Sequence, residues 1–476
     1  VQTDAADNNV GIGWSALTAL TTGANNVALG SGAAVALTTA NSTIFIGRNA
    51  GATVSVTNSA SSDGTIGIGL NALNALTSGT FNTAIGHTAM AQHTTGDKNT
   101  VLGYGAMAIT AGSSASNSDN NTFVGYLSGG GDWDNGATSN NNVGIGDLSL
   151  KGSMNDSNDN VAVGHSALTA LTTGDQNIAI GSGAALSITG GANNVAIGGN
   201  ASDGIVGVNS TVAVGFNALS AVATQNNTVA IGTNALTSLT SGVSNIAVGY
   251  KAAWKATSAA SSTAIGDAAL GGATSSALTG ANNTAIGASE LTDAHDNASN
   301  NTAVGNQCLE EVTTGKYNTA IGAYSGDVLT TGEYNTYLGY YALAQSATEK
   351  YTVRIGSDGI IKYKTARVTI TAAHSGVNSI IAEACKIPAL SIIHRVTCTV
   401  ITKSTNINPY TLNLQLSTSS GTAADGALAN ASTTITVPEI LGADGVETYA
   451  QNSATVLGTA SDILAGTGGA NKTVHT

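Results

Sequence analysis

The chain has 476 residues, of which 60 are glycine, 3 are proline and only 9% are charged, and its net charge is −13. The acidic balance argues against nucleic acid as a partner, and the small number of charges argues against a charge-driven disordered chain. Three cysteines exclude a disulfide scaffold, and no apolar run is long enough to insert into a membrane. We therefore expect a folded chain that buries small side chains in a regular backbone.

One five-residue phrase recurs from the start of the chain: Asn, a small or β-branched residue, Ala, Ile/Val/Leu, and Gly. Clear copies are Asn26–Gly30, Asn177–Gly181 and Asn318–Gly322. Thirteen of the 19 intervals between copies are 17 residues long, and the others are 18, 21 or 22. This period predicts stacked coils with loops at one corner. The 20 copies end at Gly13, Gly30, Gly47, Gly69, Gly86, Gly103, Gly125, Gly146, Gly164, Gly181, Gly198, Gly215, Gly232, Gly249, Gly266, Gly287, Gly305, Gly322, Gly339 and Gly356.

Side chains of the phrase alternate between two faces of an extended segment. In the second copy, Val27 and Leu29 share one face, and Asn26 and Ala28 share the other. Stacking such strands about 4.8 Å apart gives a parallel sheet, and we expect the Val27 face to form its continuous apolar column. Glycine supplies corners with positive φ, which asparagine also tolerates. The pattern predicts an all-β parallel solenoid of about 20 coils over residues 1–356.

Two positions after each glycine carry a further pattern. Three residues after it, Ala, Ser or Cys fills a small slot in 18 of the 20 copies, and Cys308 in this slot is expected to be a buried, inert thiol. Directly after the glycine, eight coils carry an aromatic residue or histidine, which predicts a partly aromatic stripe. We favour an inter-chain packing ladder and keep a glycan- or protein-binding surface as the alternative. The stripe consists of Trp14, His87, Tyr104, Tyr126, His165, Phe216, Tyr250 and Tyr340.

The most distinctive insertion is Gly129–Gly136, which places Asp132, Trp133 and Asp134 in a glycine-rich loop. An exposed indole ring and carboxylate oxygens suit a sugar or a calcium ion, although the spacing of the helix-loop calcium motif is absent. An ordinary surface loop is the alternative. The candidate glycan contacts are Asp132, Trp133, Asp134, Tyr104 and Tyr126.

Other chemically active residues form no recognisable catalytic or metal-binding pattern. The seven histidines lack zinc-ligand spacing, and His87 and His93 fall in different parts of one coil, so we expect structural or surface roles. The glycine-rich stretches lack the helix or lysine that phosphate sites require. The sequence therefore predicts no enzyme activity, no catalytic residue, no metal and no cofactor.

Residues 357–476 differ from the repeat region. They contain all three prolines, and residues 351–476 carry 8 basic and 7 acidic residues against 7 and 21 in residues 1–350. Thr411–Ser417 and Ser432–Val437 have the pattern of short strands separated by turn residues. We predict a C-terminal β-sandwich or jelly-roll domain over 357–476. Whether Cys385 and Cys398 pair within it stays open, because Cα spacing does not follow from sequence.

The Asn-x-Ala-Ile-Gly phrase followed by x-x-Ala-Leu resembles the head repeats of trimeric autotransporter adhesins and the rod segments of some bacteriophage tail-fibre and virion-fibre proteins. The resemblance covers residues 9–356, and in the adhesins it implies a left-handed parallel β-roll, three chains wide. The 17-residue coil with its Thr-Thr-Gly corner is more like the phage version. Residues after 356 also show neither a coiled-coil stalk nor amphipathic anchor strands, which favours the fibre over the adhesin.

The resemblance implies a structural fibre protein on a virion, with other virion proteins and a host cell-surface glycan or protein receptor as partners. One alternative is an adhesin head on a bacterial surface. Another is a tailspike-type enzyme that depolymerises polysaccharide, which would need converging carboxylates that the scattered acids do not supply.

The small size of each coil predicts self-association. A coil of small residues holds little apolar volume, so three rolls packed side by side would bury a second face. We therefore expect a homotrimer whose interface includes the recurrent alanine two residues after the asparagine, such as Ala28.

Overall fold

The chain divides into two units, Val1–Thr365 and Ala366–Thr476. In the second unit only two short antiparallel strands are described, so most of the predicted sandwich at 357–476 lies outside the described residues and stays a prediction, and Cys385 and Cys398 also lie outside them. The computed structural model describes residues 6–53, 62–108, 118–131, 133, 138–221, 226–271, 277–292 and 297–357, and the backbone of 361–364, 413–414 and 435–436.

All 20 copies of the phrase form short strands, and each strand pairs in parallel with that of the next coil. The all-β parallel solenoid with its 17-residue period is therefore confirmed, and the described residues contain no helix. Strand β21 pairs antiparallel to β20. The strands are β1 (Val10–Ile12), β2 (Val27–Leu29), β3 (Ile44–Ile46), β4 (Ile66–Ile68), β5 (Thr83–Ile85), β6 (Thr100–Leu102), β7 (Thr122–Val124), β8 (Val143–Ile145), β9 (Val161–Val163), β10 (Ile178–Ile180), β11 (Val195–Ile197), β12 (Val212–Val214), β13 (Val229–Ile231), β14 (Ile246–Val248), β15 (Thr263–Ile265), β16 (Thr284–Ala288), β17 (Thr302–Asn306), β18 (Thr319–Ile321), β19 (Thr336–Leu338), β20 (Thr352–Ile355), β21 (Ile361–Lys364), β22 (Asn413–Leu414) and β23 (Ile435–Thr436).

The register never changes from coil to coil. Ala179 lies between Ala162 and Ala196 in the neighbouring strands. Thr100 pairs with Thr122 although 22 residues separate them, so the insertion leaves the sheet undisturbed. Each position of the phrase therefore forms a column along the solenoid.

The two strand faces are buried in the opposite sense to the prediction. Ala28 is fully buried, Val27 is half-buried, and Leu29 is 43% exposed. The second residue of every strand from β2 to β19 is buried in the same way, and we call this the Ala column. The expectation that Ala28 meets a neighbouring chain is therefore wrong. A 17-residue coil is too narrow for a row of branched side chains, because large side chains from its opposite wall already occupy the interior.

The opposite wall uses an unusual backbone. Met90 and Leu73, each four residues after a motif glycine, are fully buried with φ of 49° and 53°. Left-handed corners were predicted at glycine and asparagine only. A left-handed non-glycine residue costs about 1–2 kcal/mol, which burial of a large apolar side chain, contributing about 1.5–3 kcal/mol, offsets.

The coils with phenylalanine in the Ala column have a glycine on the opposite wall. Phe45 replaces the column alanine in β3, and its own coil carries Gly51 where others carry Leu or Met. A Cβ atom on Gly51 would lie 2.5 Å from the Phe45 ring, and one on Gly67 in the next strand would lie 2.8 Å from it. Phe123 with Gly129 follows the same rule. In these two coils a large strand residue is thus matched by a glycine on the opposite wall, which keeps the interior closely packed.

The glycine that ends each strand is required by stacking as well as by conformation. Gly181 has a φ of 136°, and a Cβ atom there would lie 2.5 Å from the carbonyl oxygen of Gly198 in the next coil. Gly198 in turn has a φ of 131° and the same approach to Gly215. A side chain at this position would both strain the backbone and push two coils apart.

A column of buried asparagines runs beside the Ala column. Asn177 donates its backbone N–H (2.9 Å) and its Nδ2 (3.0 Å) to Oδ1 of Asn160 in the preceding coil. The same Nδ2 donates to the Gly191 carbonyl at 3.0 Å. Asn194 repeats the pattern onto Asn177, and Thr211 continues it with its hydroxyl. Each amide therefore joins successive coils through fully satisfied buried groups.

Charged groups close the interior at the last coils. Tyr337 and Arg354 take the Ala-column position in β19 and β20, and both are buried. Arg354 pairs with Glu349, with Nη2 2.8 Å from Oε2 and Nε 3.2 Å from Oε1. The Tyr337 hydroxyl donates to Oε1 of Glu349 at 2.6 Å. The buried arginine thus has a bidentate partner, which a buried charge requires.

Replacing Gly181 by alanine should lower the unfolding free energy by about 2–5 kcal/mol, because positive φ and close packing both oppose a Cβ atom. Gly199→Ala is the matched control, since its Cβ would meet Phe216 at an ordinary 3.4 Å and its φ is not in the strained range. Thermal unfolding of both variants measures the difference. Equal melting temperatures would show that stacking does not require the motif glycine.

Substitutions at Phe45 and Gly51 test the rule that a phenylalanine in the Ala column requires a small residue on the opposite wall. Phe45→Ala alone should cost about 3–5 kcal/mol, and Gly51→Leu alone should destabilise by collision with the ring. The double variant rebuilds the pairing seen at Ala162 and Leu168 and should be more stable than either single variant. A double-mutant cycle by denaturant unfolding gives the coupling, and simply additive losses would contradict the rule.

Candidate binding surfaces

The residues on either side of the Ala column face outward and form what we call the aliphatic face. All of them are Val, Ile, Leu or Thr, at a spacing of about 4.8 Å along the solenoid. A contiguous apolar surface of more than a few hundred Å² marks an interaction site. Its exposed aliphatic members are Val10, Ile12, Leu29, Leu102, Ile145, Ile178, Ile180, Ile197, Ile231, Ile246, Ile265, Ile286, Ile321 and Ile355.

The residues directly after the motif glycines form the predicted stripe, which we call the post-glycine stripe. Tyr104 and Tyr126 are about half exposed. The His87 and Tyr104 rings stack 5.0 Å apart with planes at 6°, and the Tyr104 and Tyr126 rings stack 5.5 Å apart at 21°. Because the rings cover each other's faces, this run presents ring edges and hydroxyls to a ligand. A sugar ring would find a free aromatic face only at its ends.

A second stacked run lies on another corner of the last coils. Tyr317, Tyr334 and Tyr351 stack at 4.8 Å and 5.1 Å with nearly parallel rings, and all are about half exposed. Lys350 bridges to Glu333 at 2.9 Å beside them. This exposed ion pair adds little stability, but it fixes the side chains that flank the rings.

The expected exposure of Trp133 is wrong. The indole is 3% exposed and packs edge-on against Phe123 (5.7 Å between ring centroids) and His93 (6.5 Å). The ring is placed inside the coil because burying its large apolar surface against other rings is favourable. Trp133 therefore offers no sugar-stacking face in this arrangement. Asp132 and Asp134 lie outside the described residues, so their proposed glycan contact stays a prediction.

His93 is a core residue. It lies seven residues after its motif glycine, the position that Leu76 and Leu171 hold in other coils, and it is fully buried. Burial lowers the pKa of its imidazole to about 4, so the neutral form is the folded form. His87, by contrast, lies on the surface in the post-glycine stripe. Both placements agree with the expected structural or surface roles.

Three residues after the motif glycine, the coils of β16, β17 and β18 carry the polar residues Glu290, Cys308 and Ser325. Cys308 is buried as predicted, and its Sγ donates to the Gly322 carbonyl at 2.6 Å. Oε2 of Glu290 accepts the backbone N–H of Cys308 at 3.0 Å. Burial raises the pKa of the Cys308 thiol and raises that of Glu290 to about 7. A thiol held protonated and away from solvent is a poor nucleophile.

Sequence reasoning missed one cluster, which we call the Lys-Trp patch: Tyr250, Lys251, Trp254 and Lys255. The Lys251 ammonium lies 5.1 Å from the Tyr250 ring centroid and 5.0 Å from that of Trp254. The Lys255 ammonium lies 4.5 Å from the Trp254 centroid. The sequence feature that could have indicated this cluster is the presence of two lysines close to a tryptophan in a region that is otherwise acidic.

The part of the chain that the structure describes brings no three His, Cys, Asp or Glu side chains together in a way that would hold a metal ion. Nor does any helix long and apolar enough to cross a membrane occur within those residues. No known protein family matches the chain, and a search of curated proteins finds no relative.

Replacing His93 by leucine should remove a pH dependence of stability. With a pKa of about 4 folded and 6.5 unfolded, His93 leaves stability unchanged above pH 6.5. Stability is then lost as the pH falls toward 4, by about 3 kcal/mol in total. His93→Leu keeps the core filled as in other coils and should lose less stability than the wild type between pH 7 and 4.5. His87→Leu on the surface is the control, and thermal unfolding across that range measures both. A wild-type acid loss retained in full by His93→Leu would contradict this role.

Proposed function

We propose that this protein is a structural fibre component of a virion, in which a trimeric rod carries a host-attachment or stabilising tip. The aliphatic face carries the proposal. A solenoid with an exposed apolar surface along its length needs a partner of the same length, and a second copy of the same repeat supplies one with matching spacing.

The composition of the aliphatic face supports self-association. It contains no charged residue, although residues 1–350 carry 7 basic and 21 acidic residues that must therefore lie elsewhere. Depletion of charge at an apolar centre with polar residues around it is typical of an interface between subunits. Three copies, the number that the repeat resemblance implies, would turn their aliphatic faces toward a common axis and leave the coil corners exposed. The interface would thus be built from the Val and Ile columns.

The corners left exposed would make the contacts of attachment. The post-glycine stripe and the tyrosine run at the last coils are ordered by stacking, so a ligand meets them with little side-chain entropy left to lose. Three copies of each weak contact would raise the overall affinity for a host glycan or protein receptor. Other virion proteins would hold the fibre on the particle. A bacterial trimeric adhesin head is the alternative, because it would use the same rod and the same aliphatic face.

The assembly is tested on the aliphatic face itself. The wild type should sediment as a trimer, and Ile180→Glu combined with Ile197→Glu should weaken association at least about tenfold, because six buried carboxylates would meet near the axis. Leu186→Glu is the matched control, since Leu186 is 38% exposed, close to the 40% of Ile180, but lies outside the strands. A folded wild-type monomer, or equal association of both variants, would overturn the proposed assembly.

The location is tested by electron microscopy with gold-labelled antibodies against the solenoid. Labelled fibres on virus particles are the expected result. Labelling of a bacterial envelope in the absence of particles would favour the adhesin instead. Release of reducing sugar from host polysaccharide by the purified protein would contradict a purely structural role.

A further inference from the structure

The Lys-Trp patch carries two positive charges that are not paired with any described carboxylate, in a region that is otherwise acidic. Its two lysines are among only 7 basic residues in positions 1–350, against 21 acidic ones. Neither Lys251 nor Lys255 forms an ion pair with a described carboxylate, whereas Lys350 and Arg354 do. Both residues are half-buried, and their ammonium groups lie beside the Tyr250 and Trp254 rings. An anion arriving here would meet two cations that no described carboxylate neutralises.

The aromatic rings of the patch are fixed in place. Trp254 is half-buried and lies along the backbone of the next coil, because a Cβ atom on Gly271 would be 3.3 Å from its Nε1. Tyr250 is 51% exposed and belongs to the post-glycine stripe, two residues beyond the end of β14 and therefore outside the aliphatic face. A rigid ring with an exposed portion beside two ammonium groups is ready to receive a ligand that has both an apolar surface and a negative charge.

We propose that the Lys-Trp patch binds an acidic sugar residue of a cell-surface polysaccharide. The C–H face of the sugar would pack on the free parts of the Trp254 and Tyr250 rings, and its carboxylate would pair with the ammonium groups of Lys251 and Lys255. This inference rests on the proposed attachment function and names the class of receptor for it.

The surroundings favour one acidic sugar over a long polyanion. Nucleic acid requires many cations along its backbone, and two lysines in a region of net negative charge would not hold it. A free inorganic anion would use the lysines but not the rings. An acidic saccharide uses both, and three copies of the patch in a trimer would strengthen binding to a repeating polymer.

Calorimetric titration of the full chain with two acidic probes, oligogalacturonate and an α2,8-linked sialic acid oligomer, tests the proposal. At least one should bind, and its methyl ester, which keeps the ring and removes the charge, should bind at least about tenfold more weakly. Failure of both acidic probes at millimolar concentration, or equal binding of acid and ester, would overturn the proposal. So would full competition by acetate, which lacks a sugar ring.

Variants assign the binding to the patch. Lys251→Gln combined with Lys255→Gln should reduce affinity at least about tenfold, and Trp254→Leu should reduce it while leaving two cations in place. Lys98→Gln, at an exposed lysine far along the chain, is the control for the loss of one charge and should leave affinity unchanged. Equal effects of the patch and control variants would place binding elsewhere. Failure of the virion-labelling experiment alone would remove the proposed location and leave this binding result intact.

Discussion

The solenoid depends on its buried asparagine column. Strands of three residues give each coil few sheet hydrogen bonds, and the amide of each asparagine adds two or three more that cross between coils. A slip of one residue would expose the alanines, bury the branched side chains and leave these amides unpaired, at about 1–3 kcal/mol for each buried polar group. The column therefore fixes the register wherever an asparagine occupies it, as between Asn99 and Asn121, which explains why β6 and β7 pair normally across a 22-residue interval.

The inward orientation of the asparagines determines which strand residues face the solvent. Because alternate residues of a strand face opposite ways, placing Asn and Ala inside forces Val and Ile outside. The narrow interior takes one alanine from the strand and one Leu or Met from the opposite wall, and Phe45 fits only because Gly51 gives up its side chain. The aliphatic face is thus a consequence of how the core is filled. The alternation that stabilises one chain therefore also creates the face through which we propose that several chains associate.

The sequence alone located the strands, their period and the small slot that holds Cys308, because these are properties of spacing. Our assignment of the branched residues to the inside face was wrong, because alternation defines two faces and does not say which of them is buried. The sequence did contain one indication. The coil that has Phe45 in place of the usual alanine also has Gly51 in place of a larger residue, and a shared interior explains this pairing. Trp133 was misplaced because a glycine-rich loop favours exposure, whereas the volume available to an indole depends on neighbouring coils. The Lys-Trp patch was missed because its rings and ammonium groups meet only once the coil is folded.

In this architecture the backbone contacts between coils do not depend on which side chains lie on the surface. The corner residue before the motif asparagine keeps a φ near 59° whether it is Phe81, Lys98, Asn120 or Tyr317. Its backbone is held by bonds to the adjacent coil, so the side chain is free to vary without disturbing the asparagine beside it. A left-handed residue costs about 1–2 kcal/mol, a cost that inter-coil hydrogen bonds and packing offset at every coil. A solenoid of this kind can therefore carry a distinct surface cluster on a single coil, as at Tyr250 and Trp254, while the columns beneath it stay unchanged.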